Sequence, residues 1–294
     1  PRAESLYTSL GFKRVNPTTF LGHNMWHMQT ERDVQLVIGG YGKKIYRANF
    51  NTCSEELSIT GSAEAINASY AVAMEGNIFT FSESGADSKA YSFKCLAQGE
   101  IRPTSEIDCP WADPCFAIVS EDGRWFLTAD YSGGSISLYP IENGVLGESI
   151  QKLIFEGRGP HPKRQIAPHI HQVRWLPKTY GFEGEWILAT DLGTDKIHLV
   201  KMECSSDGEA VLHHIEDIEA PEGSGPRHME FNQRDRILYC LTELSGEVLV
   251  YRISYENGKP EFQLIQKVAA DENNAGGSAD IHLHPQEDTS IHPI

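Results

Sequence analysis

The sequence predicts an all-β chain built as a β-propeller, and three observations carry that prediction. Segments of about five residues rich in Val, Ile, Phe, Tyr and Trp alternate with clusters of Gly, Asp, Asn and Ser, while helical periodicity is scarce. The segments come in pairs across tight turns such as YSGGS, LGTDK and LSGE, where Gly and Asp supply the positive φ that hairpins need. The pairs recur at a period near 50 residues, and all-β units of about 40–50 residues are propeller blades.

Taken in order, QLVIGGY (35–41) and KIYRANF (44–50) open the array, and FSE (81–83) closes a strand of the next unit. RWFLTADY (124–131) with SISLYPI (135–141), EWILATDL (185–192) with KIHLVKM (196–202), and RILYCLTEL (236–244) with EVLVYRI (247–253) follow as strand pairs. ADIHLHP (279–285) begins one more unit, so about five to six blades are expected. The acids that close FSE, TAD, ATD and LTE lie 47, 61 and 52 residues apart. The long step holds an insertion, 157–167, rich in Gly, Pro, Lys and Arg, which reads as a loop on one face. This alignment sets Glu83, Asp130, Asp191 and Glu243 at equivalent strand ends. There an acid caps a turn by accepting backbone N–H groups, or faces the central channel.

Composition excludes several functions. The 294 residues carry 25 Lys and Arg against 41 Asp and Glu, a net charge of −16, which repels phosphate backbones and anionic membranes. An anionic substrate therefore requires local positive charge. No apolar run approaches the ~18 residues of a spanning helix, and no charged segment followed by an apolar one opens the chain, so the expected compartment is the cytoplasm. The six cysteines include no C-x-x-C pair and are expected as free thiols. There is no G-x-S-x-G elbow, P-loop or dinucleotide fingerprint, so neither a serine hydrolase nor a cofactor is expected. His213 with His214, and His282 with His284, lack a third ligand at a defined spacing, so no metal centre is expected. Tyr131, Trp111 and Trp125 read as aromatics that pack between blades.

Five stretches are more specific: DPCFAIVSEDGRWFLTADYSGGSISLYPI (113–141), RQIAPHIHQV (164–173), ATDLGTDKIHLVKM (189–202), GSGPRHMEF (223–231) and ILYCLTELSGEVLVYRI (237–253). Together, from about Gln35 to Pro285, they resemble the seven-bladed β-propeller lactonase family, whose best-known activity is 6-phosphogluconolactonase. Fungal carboxymuconate cyclases share the fold and much of the site. Opening a lactone requires water activated by a base, best a His, and a guanidinium to stabilise the oxyanion. In PHIH, His169 and His171 alternate and point to one side of an extended chain, whereas Arg227 and His228 point to opposite sides, so only one faces the channel. The resemblance assigns that place to Arg227 as anion and oxyanion binder. It implies His171 or His169 as general base, Glu243 as the carboxylate that orients base or arginine, and Glu83, Asp130, Asp191, Arg164 and His228 as substrate contacts. His161, Lys163 and Arg164 add positive charge in the inserted loop. The implied partner is an anionic sugar lactone, 6-phosphoglucono-δ-lactone, with no nucleic acid or membrane. A noncatalytic binding scaffold and a muconate-type cyclase are the alternatives.

Both ends depart from the pattern. Residues 1–28 read as an appended leader, in which LYTSLGFKRV resembles the closing segment of a GNAT acetyltransferase, an ordinary strand pair being the alternative; 29–294 read as the propeller domain. After ADIHLHP the family pattern has a strand ending in Asn-Arg and a further blade, and that arginine belongs to the family's site. Here QEDTSIHPI follows instead, so the propeller is expected to be incomplete.

Overall fold

Strands account for most of the chain. The computed structural model describes residues 33–205, 208–270 and 276–283, and the backbone of an antiparallel pair, β1 (Phe12–Phe20) and β2 (His23–Thr30). Residues 1–11 of the leader and 284–294, including His284, lie outside the described residues. Five antiparallel sheets follow in sequence order. Sheet I holds β3 (Asp33–Ile38), β4 (Lys44–Asn51) and β5 (Glu56–Glu64). Sheet II holds β6 (Ala71–Met74), β7 (Asn77–Phe81), β8 (Lys89–Cys95) and β9 (Ile101–Asp108). Sheet III holds β10 (Pro114–Val119), β11 (Trp125–Asp130) and β12 (Ser135–Glu142), with β13 (Val145–Leu146) and β14 (Gln151–Ile154) both paired to β12. Sheet IV holds β15 (Ile170–Trp175), β16 (Glu185–Asp191), β17 (Lys196–Cys204) and β18 (Ala210–Glu219). Sheet V holds β19 (Pro226–Asn232), β20 (Ile237–Thr242), β21 (Glu247–Glu256) and β22 (Lys259–Ala269).

The strands read from the sequence therefore form, with ends that agree to within three residues. The insertion 157–167 is the irregular link between β14 and β15. ADIHLHP differs from expectation: residues 276–283 contain no strand, although Gly277 N–H donates to the Glu243 carbonyl at 2.6 Å. Among the described residues no second strand lies beyond that segment to complete a ladder.

Sheet stacking explains why β11 is buried at every position. Leu127 and Ala129 pack toward sheet IV, into a cluster with Ile170, Val173 and Ile187, while Phe126 packs toward sheet II with Phe79 and Phe81. In β16, Ile187 and Ala189 face sheet III, whereas Trp186 and Leu188 face sheet V. Successive side chains point to opposite faces, so one strand serves two cores. Four such clusters fill the four gaps between five sheets. Trp125 joins one of them, but Trp111 does not. It is 67 % exposed on a backbone with φ +62°, in the turn that leads into β10 rather than on a strand.

Among the described residues no helix is long and apolar enough to cross a membrane. The inner strands β10, β15 and β19 are neighbours, so the segments leading into them meet at one end of the sheets. There Gly193 lies so close to the inserted loop that a Cβ would sit 1.9 Å from the Ala167 carbonyl oxygen and 2.9 Å from His169 N. Gly193→Ala should therefore cost about 1–3 kcal/mol, the usual range for overpacking against atoms that cannot yield. Gly42→Ala, where a Cβ meets nothing within 4 Å, should stay within about 0.5 kcal/mol of wild type. Urea unfolding midpoints of the two variants would test the difference, and equal midpoints would contradict the close packing of loop on turn.

Candidate active site

The same irregularity recurs in three inner strands. Pairing slips between Pro114 and Phe116 in β10, between Ile170 and Gln172 in β15, and between Pro226 and His228 in β19. The residues left without a ladder partner are Cys115, His171 and Arg227, spaced 56 residues apart. A β-bulge breaks the two-residue alternation and re-aims the side chains around it. Arg227 and His228 consequently do not diverge as strict alternation requires: Arg227 Nη1 lies 3.4 Å from His228 Nε2. The freed backbone groups find partners on neighbouring sheets. Thr190 Oγ1 donates to the Arg227 carbonyl at 2.7 Å, and Met229 N–H to Gln172 Oε1 at 2.6 Å. Cys115 Sγ lies 3.3 Å from the His171 carbonyl oxygen.

The registers also shift the alignment of the acids. Asp130, Asp191 and Thr242 pair with Pro114, Ile170 and Pro226, so these three are the equivalent strand ends. Ser82 holds the corresponding place in sheet II, exchanging hydrogen bonds with Lys89. Glu83 and Glu243 therefore lie one residue further on, equivalent to Tyr131, and one residue changes the direction of the side chain. Asp130 and Asp191 are fully buried. The carboxylate of Asp130 accepts from the hydroxyls of Thr128, Ser135 and Ser137, and burial pushes its pKa up to about 6. Asp191 accepts from His169 N–H at 2.7 Å, Gly193 N–H at 2.8 Å and Thr194 Oγ1 at 2.7 Å. Both acids build turns and offer no surface to a ligand, which corrects their reading as substrate contacts.

Glu243 is the hub of the central cluster. Its Oε1 accepts from Arg164 Nη2 at 2.5 Å and its Oε2 from Arg227 Nε at 2.8 Å. Two guanidiniums share one carboxylate, leaving local positive charge in an acidic protein. Arg164 also donates to the Tyr131 hydroxyl at 3.2 Å. Its loop is pinned by the fully buried Gln165, whose Nε2 donates to the Leu192 carbonyl at 2.9 Å and to Asp195 Oδ1 at 2.7 Å. Asp195 also accepts from Gly225 N–H at 2.8 Å and Gly223 N–H at 2.7 Å, in the loop that leads to Arg227. One carboxylate thus ties together the segments that carry both arginines. Of the inserted loop's other cationic residues, Lys163 is exposed and His161 Nδ1 caps the local turn by accepting from the Lys163 and Arg164 N–H groups.

Three imidazoles border the arginines. His169 Nδ1 donates to the Tyr131 carbonyl at 2.9 Å, and its ring stacks on Tyr131 at 4.4 Å. His171 is buried between the edges of Tyr131, at 5.6 Å, and His228, at 5.3 Å. Burial, with the charges of Arg227, His228 and Arg164, holds its pKa well below the ordinary histidine value. Burial also lowers the pKa of His228, against the opposing pull of Asp280, whose Oδ1 accepts from Nδ1 at 2.7 Å. Glu83 lies toward the first two sheets, where Ser69 Oγ and the Tyr41 hydroxyl donate to it; that bond pushes the Tyr41 pKa up to about 12. Burial pushes the Cys115 thiol well up.

The structure thus gathers His169, His171, Arg227, His228, Glu243 and Arg164, and sets Asp130 and Asp191 apart. The sequence alone does not single out Tyr131, Gln165, Asp195, Cys115 or Asp280 as site residues, yet the structure places them against the cluster. Tyr131 had a signal: it occupies the repeat position of Glu83 and Glu243, and its ring stacks on His169, across from sheet III to sheet IV, while its hydroxyl accepts from Arg164. Asp195 closes the DLG-x-D motif, whereas nothing local marks Gln165. The expectation that no third metal ligand accompanies His214 also changes, because His198 and Asp217 meet it from the paired strands β17 and β18.

A sequence profile described as "Lactonase, 7-bladed beta-propeller" matches residues 35–289. The 6-phosphogluconolactonase of Bacillus subtilis is 32 % identical over 256 residues, covering 83 % of this chain and 68 % of that protein. The 6-phosphogluconolactonase of Formosa agariphila is 26 % identical over 251 residues, covering 83 % and 69 %. A crystal structure from Bacteroides fragilis superposes with a TM-score of 0.75 at 33 % identity, covering 85 % of this chain and 71 % of that one.

The depressed pKa of His171 has a consequence for stability. In the unfolded chain the imidazole takes a proton near pH 6.5, whereas the folded site refuses it until lower pH, so the unfolded state binds more protons in that window. Stability should fall as pH drops below about 6.5, with a slope approaching 1.4 kcal/mol per pH unit from this group. His171→Gln should flatten that dependence in denaturant titrations run from pH 7 to pH 5. An unchanged slope would mean that His171 does take a proton in the folded state.

Proposed function

The chain belongs to the seven-bladed β-propeller lactonase family, and from that premise we propose that it hydrolyses 6-phosphoglucono-δ-lactone at the Arg164–Glu243–Arg227 cluster. The observation that carries the reading is the sharing of one carboxylate by two arginines beside a buried neutral imidazole. A net charge of −16 opposes capture of an anionic sugar, and this cluster supplies the local field that capture needs.

In this mechanism Arg227, positioned by Glu243, donates to the lactone carbonyl oxygen, where negative charge develops during attack. His171 takes the proton of the attacking water as the new C–O bond forms at C1. Its neutrality leaves the lone pair available. The negative charge of the phosphate and the oxyanion then offsets the guanidiniums that otherwise disfavour an imidazolium. Collapse of the tetrahedral intermediate breaks the bond from C1 to the ring oxygen. The departing alkoxide recovers the proton from His171, and the new carboxylic acid releases its remaining proton to solvent to become the open-chain carboxylate. Arg164, carried on the inserted loop and partly exposed, contributes the second positive charge for the phosphate.

Following hydrolysis above the spontaneous rate tests this reading directly. The phosphorylated lactone should be opened with a higher kcat/KM than glucono-δ-lactone. Arg227→Ala should lower kcat/KM by about 10²–10³-fold, as expected for loss of an oxyanion donor. The acidic limb of kcat/KM should lie below pH 6.5, because the base loses its proton more readily than free histidine. A folded wild type that never exceeds the spontaneous rate would refute the proposal.

A further inference from the structure

His198, His214 and Asp217 form a second cluster, away from the arginines, on the paired strands β17 and β18. His198 Nδ1 and His214 Nε2 each lie 2.7 Å from the same oxygen, Asp217 Oδ1. All three donor atoms fall within 4.8 Å of one another. Two imidazole nitrogens and one carboxylate oxygen are a donor set that zinc takes with bonds of about 2.0–2.2 Å. In a tetrahedron such bonds separate the donors by roughly 3.3 Å, so the two short contacts need to open by only about 0.6 Å. His198 is buried while His214 is exposed and Asp217 half-buried, which leaves a path from solvent to a fourth position.

The backbone explains why these three meet. His214 and Asp217 are three residues apart and would face opposite sides of a regular strand. A bulge in β18 removes that obstacle: Leu199 pairs with Glu216 and Val200 with His214, leaving Ile215 without a partner. Asp217, opposite His198, then shares a face with His214. The same bulge occurs in sheets I, II and V. The residues at the three corresponding positions are Tyr46, Ser62 and Ile59 in sheet I, Tyr91, Glu106 and Pro103 in sheet II, and Leu249, Lys267 and Leu264 in sheet V. The fold therefore supplies the geometry several times, and sheet IV alone among these fills it with three ligating side chains.

The surroundings match those of a metal site. His198 Nε2, on the far side of its ring, lies 3.3 Å from the buried Asp191 carboxylate, the outer-shell partner that fixes a ligating histidine. Phe155 stacks on His198 at 3.9 Å and meets His214 edge-on at 5.5 Å, holding both rings. Lys196 Nζ, 2.6 Å from Asp217 Oδ2, occupies the other carboxylate oxygen and leaves Oδ1 as a single donor. Asp191 and Asp217 together offset the lysine and part of the charge of a divalent ion.

We propose that His198, His214 and Asp217 bind one zinc ion that fastens the outer strand of sheet IV to its neighbour. Through Asp191, which accepts from the N–H groups of His169 and Gly193, the bound ion also braces the turn beneath the arginine cluster. Equilibrium dialysis of the chelator-treated full chain against zinc tests this, with thermal unfolding as a second readout. One equivalent should bind and raise the Tm. His214→Gln, a change on the surface, should weaken binding by more than about tenfold and abolish the Tm shift, while His213→Gln should change neither. Absence of stoichiometric binding to wild type would overturn the site, as would binding that survives His214→Gln.

Discussion

Asp195 is the interaction on which the candidate site depends. Its carboxylate accepts from Gln165 in the inserted loop and from Gly223 and Gly225 in the loop before β19, and all these bonds lie within the protein. An unpaired buried carboxylate is costly, so each partner holds the others in place. Arg164 and Arg227 come from segments more than sixty residues apart, and without this shared anchor nothing local would bring both guanidiniums to Glu243. The bulges at His171 and Arg227 then decide what those anchored segments present. The charge arithmetic follows from that arrangement, with two cations and one anion at the centre of a chain of net charge −16.

Much of this was legible in the chain. Strand pairs with Gly and Asp turns showed as short segments of Val, Ile, Phe, Tyr and Trp, because middle strands such as β11 and β16 are buried on both faces by neighbouring sheets and those residues suit that setting. PHIH, GPRH and TEL pointed to His169 or His171, to Arg227 and to Glu243, and the structure gathers these residues at one end of the sheets. What failed were inferences that hang on a single residue of register. Aligning Glu243 with Asp130 and Asp191 by their shared acidity is off by one, and with a period of two that exchanges inside for outside. The divergence expected of Arg227 and His228 failed for the same reason, since a bulge is a property of pairing that the strand itself does not display.

Contacts between distant segments were hidden for a different reason. Gln165 is an ordinary polar residue in a loop, and only the position of Asp195 thirty residues later makes it structural. His214 had an obvious neighbour in His213, but its partners on the paired strands are His198 and Asp217. Spacing rules for metal ligands describe local loops well and cross-strand sites poorly, because a cross-strand site is set by register and bulge rather than by distance along the chain. Tyr131 packs between sheets as aromatics usually do, and its place after the strand end also sets it against His169 and Arg164.

The division of strands such as β11 and β16 between two cores also bears on how such a chain can vary in length. Deleting or inserting one codon within β11 or β16 would reverse every side chain beyond it, emptying the cores on both sides of the sheet at once. Changes of length are therefore tolerated best in the connections, and in this chain the uneven steps of 47, 61 and 52 residues between repeats arise there. The longest such connection carries Arg164. A change of length in that connection would therefore move one guanidinium of the cluster without shifting the register of any strand.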